Sequence, residues 1–479
     1  MKKIITLLLA GIMTASICGC SKNEAGDGGI PTITWYVPGE TQSDQATVME
    51  VVNKLLSEKA GAKIDMKYVS DGSFEEKMRM IMAAREKFDL CFTGYNNKYT
   101  TAVENGALYD ITKLLEKTNI RETVGDTILD IARVDGKIYG VPNQQIFALP
   151  QCLVVRKELA DKYKLDMSNF TKTTDIEPFL EIIKQKEPDY IPFSAYHKLN
   201  SFWSIDEDRY YDIKGINIDE AEENNWEAID PQKTLETRHE RAKIMSDWYK
   251  KGYIRKDVDT VQNEVAEMAA GKYAVTISAY KPGVESELKT QLNGDVVIKV
   301  IGPTVYTIDF PLSTMISVSA TTKHPEKCVK VIEVLNSDTE IYNTLCYGVE
   351  GKHYKKLSEN RIEIIPDSGY EPNACWKFGN NFNAWLTHEQ PDDCHEQSKK
   401  INESAKIIGI PGFVFNDENV KMELTQIKTV DSKYMGIYLG SADLASVWDT
   451  YVSEYEKAGI RKVYEEVEKQ INEFEKTIK

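Results

Sequence analysis

The sequence predicts an α/β protein built from two lobes. Three β-rich runs, at 32–37, 63–69 and 88–94, alternate with two helical patterns, and this order indicates a parallel sheet with right-handed crossovers. A further buried strand and helix lie within 311–340, after a long stretch of other elements. We interpret them as a return to the first sheet, which leaves the residues from 143 to 310 as a second lobe.

Two local patterns support the helices of the first lobe. Asp44 stands at the N-cap position of a helix whose apolar residues recur every three or four positions. Ser73 and Glu76 have the spacing of a capping box before the second helix. Because ligands of parallel sheets bind beyond the carboxyl ends of the strands, the loops after the first and third strands are predicted to line a site.

The second lobe and the C-terminal segment have their own patterns. ALPQCLVV (148–155), KYAVTISAY (272–280) and VVIKVIGP (296–303) are β-rich runs. A long helix is predicted from Pro231 to Lys251, because Gly252 can adopt the left-handed conformation that ends a helix. The predicted organisation is a signal peptide over 1–19, a lipidated flexible tether over 20–30, a first lobe over 31–142 and 311–340, a second lobe over 143–310 and 341–440, and C-terminal helices over 441–479 whose lobe is left open.

The N-terminus has the pattern of an exported lipoprotein. Two lysines precede the uncharged run IITLLLAGIMTASI (4–17), which is shorter than the about 20 apolar residues of a membrane-spanning helix. The exit Ile17-Cys18-Gly19-Cys20 resembles the bacterial lipobox. This resemblance implies that Cys20 is lipidated after cleavage before it, so that the protein is held on the extracellular face of the cell membrane. An ordinary cleaved signal with a chance cysteine is the alternative.

Composition limits the classes of partner and cofactor. The formal net charge is −16, and such a surface repels nucleic acid. The six cysteines beyond Cys20 are too scattered for a disulfide framework. Cys375, His388, Cys394 and His395 lack the spacing of a zinc site. We therefore expect no metal and no cofactor.

Several stretches distributed over 31–479 carry a family resemblance. They include YGVPNQQ (139–145), YKKGYIRKDV (249–258), YGVEGKHY (347–354) and FGNNFNAW (378–385). The chain resembles extracellular solute-binding lipoproteins of ABC importers, in the sugar-type group with a C-terminal domain of unknown function. The resemblance implies a type II periplasmic-binding-protein-like fold, with hinged lobes joined by crossover strands. It also implies a monomer that carries a small solute to ABC permease subunits.

Sugars favour aromatic faces for stacking and carboxylates or amides for hydrogen bonds, which guides the choice of site residues. The candidates follow predicted strand ends, the first crossover, or loops that combine aromatic and amide side chains. The candidate ligand-binding residues are Trp35, Tyr36, Glu40, Thr93, Tyr95, Asn143, Gln144, Trp203, Tyr280, Trp376, Asn380, Asn381 and Trp385. The predicted function is therefore a receptor for a carbohydrate, most simply an oligosaccharide, bound between the lobes.

Three other functions stay open at this point. A receptor for a peptide or another small nutrient could use the same lobes, and a surface adhesion or sensory protein could keep the fold without an importer. A secreted glycan-active hydrolase is disfavoured, because the sequence has no GxSxG, HExxH, Walker or GxGxxG motif. We therefore predict that the protein is not an enzyme.

Overall fold

The described part of the chain covers most of the predicted mature protein. The computed structural model describes residues 29–95, 97–195, 211–213, 216–222, 225–228, 230–261, 264–410, 413 and 415–478. The predicted signal peptide, the lipidation site Cys20 and the candidate Trp203 lie outside these residues.

The first sheet has five strands in the order β2-β1-β3-β13-β4. Its strands are β1 (Thr32–Pro38), β2 (Lys63–Val69), β3 (Leu90–Gly94), β4 (Gly140–Pro142) and β13 (Thr314–Val318). Strand β1 is parallel to β2 and β3, whereas β13 is antiparallel to both β3 and β4. The chain therefore leaves this sheet after β4 and returns to its interior at β13.

Helices cover the first sheet with their apolar faces. They include α1 (Gln45–Lys59), α2 (Asp71–Ala83), α13 (Pro325–Ser337) and α14 (Thr339–Tyr347). Val48, Val52 and Leu56 recur at helical spacing on α1 and are fully buried. Their core also contains Ile341 and Leu345 of α14. The prediction that residues from 341 onward join the second lobe is therefore wrong for α14.

The second sheet has four strands in the order β11-β5-β10-β6. They are β5 (Gln151–Arg156), β6 (Ile191–Phe193), β10 (Tyr273–Ala279) and β11 (Val296–Val300). Alternate residues of β5 enter different cores, because successive side chains of a strand point to opposite faces. Leu153 and Val155 pack with Trp248, whereas Cys152 and Val154 pack with Leu288. Both faces of this sheet are therefore covered.

The helices of the second lobe flank this sheet. They are α7 (Lys157–Tyr163), α8 (Glu177–Lys186), α9 (Pro231–Lys251), α10 (Glu264–Ala269) and α11 (Val284–Leu292). Helix α9 ends at Gly252 with φ 78° and ψ 24°, the left-handed geometry that its sequence predicts. Trp248 on α9 is fully buried and packs edge-on against Phe193 of β6, with ring centroids 4.8 Å apart.

A two-stranded parallel sheet involves the second segment that connects the lobes. It pairs β12 (Val305–Thr307) with β17 (Lys406–Ile408). Phe147, on the first connecting segment, contacts Tyr306 and Phe310 of the second segment at centroid distances of 5.6 and 6.3 Å. The two segments that join the lobes thus share an aromatic core.

Most of the C-terminal helices pack on α9 or on one another, within a buried cluster that extends to the first sheet. The C-terminal helices are α15 (Cys394–Ser404), α16 (Lys421–Lys433), α17 (Met435–Leu439), α18 (Leu444–Lys457) and α19 (Ile460–Ile478). Tyr451, Val463 and Val467 belong to the same buried cluster as Trp35 of β1. The break that Gly459 predicts separates α18 from α19, and Gly459 adopts φ 97°.

The remaining elements are short or lie at the periphery. The helices are α3 (Tyr99–Glu104), α4 (Thr112–Leu115), α5 (Ile120–Val124), α6 (Asp126–Ile131) and α12 (Asp309–Leu312). The strands are β7 (Tyr211–Ile213), β8 (Ile216–Glu222), β9 (Asn225–Ala228), β14 (Tyr354–Ser358), β15 (Arg361–Ile364) and β16 (Leu386–Thr387).

Two predicted helix caps take a different form. Asp44 is the N-cap residue of α1, but its carboxylate makes no capping bond and instead contacts Lys352 and His353. Helix α2 begins at Asp71, two residues before the predicted capping box. The Ser73 hydroxyl bonds back to the Ser70 carbonyl at 3.2 Å, so the capping-box prediction is wrong. Long-range partners and local turn bonds compete with caps for the same short side chains.

The described residues hold neither a membrane-spanning helix nor a metal-binding cluster. No helix in that part of the chain is both long and apolar enough to span a bilayer. In the same ranges, no cluster of His, Cys, Asp and Glu side chains is arranged to hold a metal ion.

Candidate ligand-binding site

The first sheet brings several strand ends to one edge. Gly94, at the carboxyl end of β3, pairs with Thr314, at the start of β13. Pro142, at the carboxyl end of β4, pairs with Met315 beside it. Since β1 is parallel to β3, the Pro38 end of β1 lies at this edge too. Both connections to the second lobe therefore leave from the edge at which parallel sheets bind ligands.

The second sheet presents a matching edge. Gln151, at the start of β5, pairs with Ala279 at the end of β10. Val300, at the end of β11, pairs with the neighbouring Cys152. The connecting segments run between these residues and the strand ends of the first sheet. The candidate Tyr280 lies at this edge of the second sheet, where its amide donates to the Pro150 carbonyl at 2.7 Å.

Two of the predicted aromatic residues form a pair at the edge of the first sheet. The ring centroids of Tyr95 and Trp376 are 5.9 Å apart, and the rings are inclined at 51°. Both rings pack edge-on against Phe92 of β3, at centroid distances of 5.6 and 6.2 Å. Tyr95 is 52% exposed, and Trp376 is half-buried. The pair therefore offers partly exposed aromatic faces on a rigid support.

Two charged residues lie beside this aromatic pair. The Tyr95 hydroxyl donates to the Asp71 carboxylate at 2.6 Å. Lys377 Nζ donates to the Pro38 carbonyl at 2.8 Å and lies 4.8 Å from the centroid of the Trp376 ring. The same ammonium lies 3.8 Å from Asp71 Oδ1. Because α2 starts directly after β2, its first residue reaches the same sheet edge as the residues that follow β1 and β3.

The surroundings shift the pKa values of two of these groups. Partial burial, and then the hydrogen bond to Asp71, raise the pKa of the Tyr95 phenol, which therefore stays a donor at neutral pH. Burial lowers the pKa of the Lys377 ammonium, while the Asp71 carboxylate opposes that shift.

Glu40 occupies the loop after β1, as predicted, and its side chain is exposed. The loop folds back on itself, since Gln42 Nε2 donates to the Glu40 carbonyl at 3.1 Å. Gly39, in the same loop, adopts φ 140° and lies between the Tyr68 ring and the Lys377 ammonium. The loop thus carries an exposed carboxylate on the residue that follows Gly39.

The predicted amide residues surround the first connecting segment. The Gln144 amide donates to the Gly379 carbonyl at 2.8 Å, and the Asn381 amide donates to the Gln144 carbonyl at 2.7 Å. Asn380 is buried, and its side chain accepts from the Phe382 amide. The segment that carries Trp376 is therefore paired, through its amide residues, with the start of the first connection.

Two buried amide groups in this connection lack a partner. Asn143 and Gln144 are 1% and 7% exposed. Asn143 Nδ2 and Gln144 Nε2 have no hydrogen-bond acceptor among the described residues. Unpaired buried donors are rare in native proteins, and each one calls for an explanation in terms of a ligand, a water or another conformation.

Three sequence-based candidates have a different role from the predicted one. Trp35 is fully buried and packs edge-on against Phe378, so it belongs to the core. Thr93 is also fully buried, and its hydroxyl bonds to the Ser317 hydroxyl at 2.7 Å within the first sheet. Tyr36 is half-buried and packs against Phe88, before the start of β3. Trp35 and Tyr36 precede the end of β1, whereas Thr93 is the last side chain of β3 but is buried in the sheet.

Trp385 contacts other residues than those of the aromatic pair. Its ring packs against Tyr354 of β14 at 5.4 Å, and Lys356 Nζ lies 4.8 Å from its centroid. Its backbone amide donates to the Asn343 side chain of α14 at 2.7 Å. No described contact joins Trp385 to Tyr95 or Trp376, so its role as a ligand residue stays a prediction.

Asp71, Lys377 and Asn402 were not among the residues predicted from the sequence. Asp71 follows the carboxyl end of β2, and the rule that selected Glu40 and Tyr95 would also have selected it. Lys377 adjoins Trp376, but its burial could not be foreseen. Asn402 Oδ1 accepts from the amides of Phe147 and Ala148 at 2.7 and 3.2 Å, and only the tertiary structure reveals this contact.

This arrangement suits a polar ligand that also has apolar faces. The aromatic pair can stack on the ligand, Asp71 and Glu40 can accept its hydrogen bonds, and Lys377 can donate one. Two sheets that are joined at these edges by connecting segments can approach each other by rotation about those segments.

Comparison with known proteins agrees with this geometry. Residues 39–340 match the family model described as bacterial extracellular solute-binding protein. Residues 409–476 match a domain of unknown function, DUF3502. The solute-binding match covers the strands of both sheets except β1, together with both connecting segments, and the second match covers most of the C-terminal helices.

The chain is similar to two curated relatives and to several solved structures. A carbohydrate ABC transporter substrate-binding protein of Streptococcus pneumoniae serotype 4 is 29% identical over 487 residues, which cover 99% of this chain and 97% of that protein. Lipoprotein LipO of Bacillus subtilis is 26% identical over 195 residues, which cover 39% of this chain and 37% of that protein.

One of the solved structures is that of the N-glycan transport solute binding protein NgtS from Streptococcus pneumoniae. It is 28% identical and has a TM-score of 0.79, with coverage of 94% of this chain and 100% of that one. The TM-scores for NgtS in complex with Man1GlcNAc and with Man5GlcNAc are 0.66 and 0.62. The chain described here is therefore a member of the bacterial extracellular solute-binding protein family.

Proposed function

We propose that this protein is a lipid-anchored receptor on the outer face of the cell membrane, which binds an oligosaccharide between its lobes and delivers it to ABC permease subunits. The observation that carries the carbohydrate assignment is the partly exposed pair of Tyr95 and Trp376, with Asp71 and Lys377 beside it. The relatives support it, because NgtS has been crystallised with two mannose–N-acetylglucosamine glycans.

The proposed mechanism is closure of the lobes around the ligand. A solute that contacts both sheet edges only in the closed arrangement stabilises that arrangement, and so shifts the population towards it. The chain matches the two NgtS complexes less well than it matches the other NgtS structure. A rigid-body movement of lobes would produce this pattern, and the closed form would then be the one that the permease recognises.

The anchor is proposed from the lipobox-like Ile17-Cys18-Gly19-Cys20, with Cys20 as the lipidated residue. Its support is the extracellular family and the similarity to a lipoprotein of Bacillus subtilis. A tether from Cys20 to the first strand would let the folded lobes reach the permease while they stay at the membrane.

We also propose that the ligand leaves chemically unchanged. The family consists of solute receptors, and the site combines stacking surfaces with hydrogen-bonding groups. A peptide receptor is the second candidate, because Lys377 and Asp71 could hold the two ends of a short peptide. The contact of Lys377 with Trp376 and its burial under the ring favour the carbohydrate instead.

The test is calorimetric titration of the purified mature chain with a mannose–N-acetylglucosamine oligosaccharide. The unmodified protein should bind it, and Trp376→Ala should weaken binding by about tenfold or more, because stacking area is lost. Trp448→Ala is the matched control, since Trp448 stacks on His239 and packs on Tyr451 in the C-terminal helices. Binding of dipeptides or tripeptides without any glycan binding would overturn the carbohydrate assignment.

A further inference from the structure

We propose that Asp71 is a specificity-determining residue, which makes this site select neutral sugars over sugars that carry a carboxylate. The inference rests on the proposed function, because it concerns the class of glycan that the site accepts. It starts from an apparent contradiction: a lysine at an aromatic sugar site is the residue expected to attract acidic glycans, yet the lysine here is already paired.

The first step concerns the partners of Lys377. Its side chain is only 7% exposed, so its ammonium depends on protein groups for hydrogen bonds. Lys377 Nζ donates a hydrogen bond to the Pro38 carbonyl at 2.8 Å, and it lies 3.8 Å from Asp71 Oδ1. The Trp376 ring covers another direction, with its centroid 4.8 Å from Nζ. The positive charge of Lys377 is therefore balanced within the site.

The second step concerns the charge that a ligand would meet. Asp71 has one oxygen bonded to the Tyr95 hydroxyl at 2.6 Å, so its carboxylate lies against the aromatic pair. The exposed Glu40, in the loop after β1, adds a second negative charge at the same sheet edge. Asp71 and Glu40 are negative and Lys377 is positive, so these three groups together carry a net negative charge.

The third step follows from electrostatics. A neutral sugar can accept from Lys377 and donate hydroxyl hydrogens to Asp71 and Glu40 without any charge repulsion. A sugar carboxylate at the same place would be repelled by the exposed carboxylates of Asp71 and Glu40, and dissolved salt would weaken that repulsion. This repulsion lowers the affinity for the acidic ligand and leaves that for the neutral ligand unchanged, so the site selects neutral sugars.

The experiment compares one oligosaccharide in two forms. The neutral probe is a mannose–N-acetylglucosamine oligosaccharide, and the acidic probe is the same molecule with a primary alcohol oxidised to a uronate. The mature wild-type chain should bind the neutral form about tenfold more tightly or better. Asp71→Asn keeps a side chain of the same shape and should remove most of that preference, mainly by improving the affinity for the uronate.

Two controls keep the result interpretable. Glu76→Gln removes the same charge from α2, at a residue whose carboxylate pairs with Arg79, and it should keep the wild-type preference. Added salt should reduce the preference of the wild type for the neutral oligosaccharide, because salt screens the repulsion of the uronate. This control does not depend on the behaviour of the Asp71 variant.

The outcomes separate the two proposals. Equal or tighter binding of the uronate by the wild type would refute the selection of neutral sugars and leave the glycan receptor intact. An unchanged preference in a folded Asp71→Asn variant would refute the role of Asp71. A wild type that binds neither glycan, but binds peptides, would contradict the proposed function itself.

Discussion

At the scale of single residues, position in the strand decides the role of an aromatic side chain. Trp35 lies within β1 and is fully buried against Phe378. Trp376 lies in the loop-like segment beside the ends of β1 and β3 and keeps part of its ring exposed. Composition and local pattern suggested both as ligand residues, but only burial distinguishes a core tryptophan from a stacking surface.

Asp44 illustrates how one carboxylate can join distant segments. Its Oδ2 lies 2.5 Å from Lys352 Nζ and 3.0 Å from His353 Nε2. His353 Nδ1 accepts from the Val349 amide at 2.9 Å, which assigns the ring proton to Nε2 and makes that nitrogen the donor to Asp44. The loop before α1 is thereby tied to the turn before β14.

This contact predicts a pH dependence. Hydrogen bonds from Lys352, and then from His353, lower the pKa of Asp44 below its ordinary value of 3.8. The stabilisation is therefore complete above the pKa of the unfolded state and is lost as the pH falls through the lower folded value. Thermal melts from about pH 6 to pH 2 should show Asp44→Asn less stable than wild type at the upper end, with the gap closing in acid.

The control for this experiment is Glu50→Gln, at an exposed residue of α1. Its melting temperature should follow that of the wild type through the whole series. A gap between Asp44→Asn and wild type that stays constant with pH would show that the carboxylate charge does not contribute.

At the scale of elements, helix ends determine how closely the C-terminal helices approach the rest. Gly440 ends α17 in a left-handed conformation with φ 79°. A Cβ at this position would lie 2.2 Å from the Met245 carbonyl of α9. Glycine therefore permits both the backbone turn and the contact between α17 and α9.

We expect Gly440→Ala to lower the free energy of unfolding by roughly 2–5 kcal/mol, because left-handed strain adds to a backbone clash. Gly252→Ala is the matched control, since Gly252 ends α9 with φ 78° and a Cβ there would meet only Lys184 Cε at 3.7 Å. It should cost roughly 1–2 kcal/mol, from strain alone. Chemical denaturation measures both, and equal losses would contradict the role of the close approach.

At the scale of the whole molecule, hydrogen bonds join the first connecting segment between the lobes to helix α15. Asn402 of α15 accepts from the amides of Phe147 and Ala148, and its Nδ2 donates to the Gln145 carbonyl at 2.8 Å. Phe147 and Ala148 are 2% and 0% exposed, so their amides depend on this side chain. The first connecting segment is thus fastened to an element that follows both lobes in the chain.

Removal of this side chain should destabilise the junction. We expect Asn402→Ala to lower the free energy of unfolding by about 1–3 kcal/mol, because it leaves two buried amides without an acceptor. Asn402→Asp keeps the acceptor and should retain most of the stability. Denaturation curves test the difference, and X-ray scattering would show a larger radius of gyration for Asn402→Ala if the fastening also limits how far the lobes open.

Features that depend on short-range interactions along the chain could be predicted from the amino-acid sequence. β-rich runs located β1, β2 and β10, and Gly252 located the end of α9, because both signals act over a few residues. The family resemblance, spread over many short stretches, predicted the solute-binding fold that the family match confirms.

The contacts between residues that are far apart in sequence became visible only in the folded structure. The pairing of Tyr95 with Trp376, the placement of Lys377 beside Asp71 and the hold of Asn402 on Phe147 all join parts of the chain that are far apart in sequence. No local pattern encodes such contacts, because they arise when the chain returns to its first sheet at β13 and brings the following segments to the edge where β1 and β3 end.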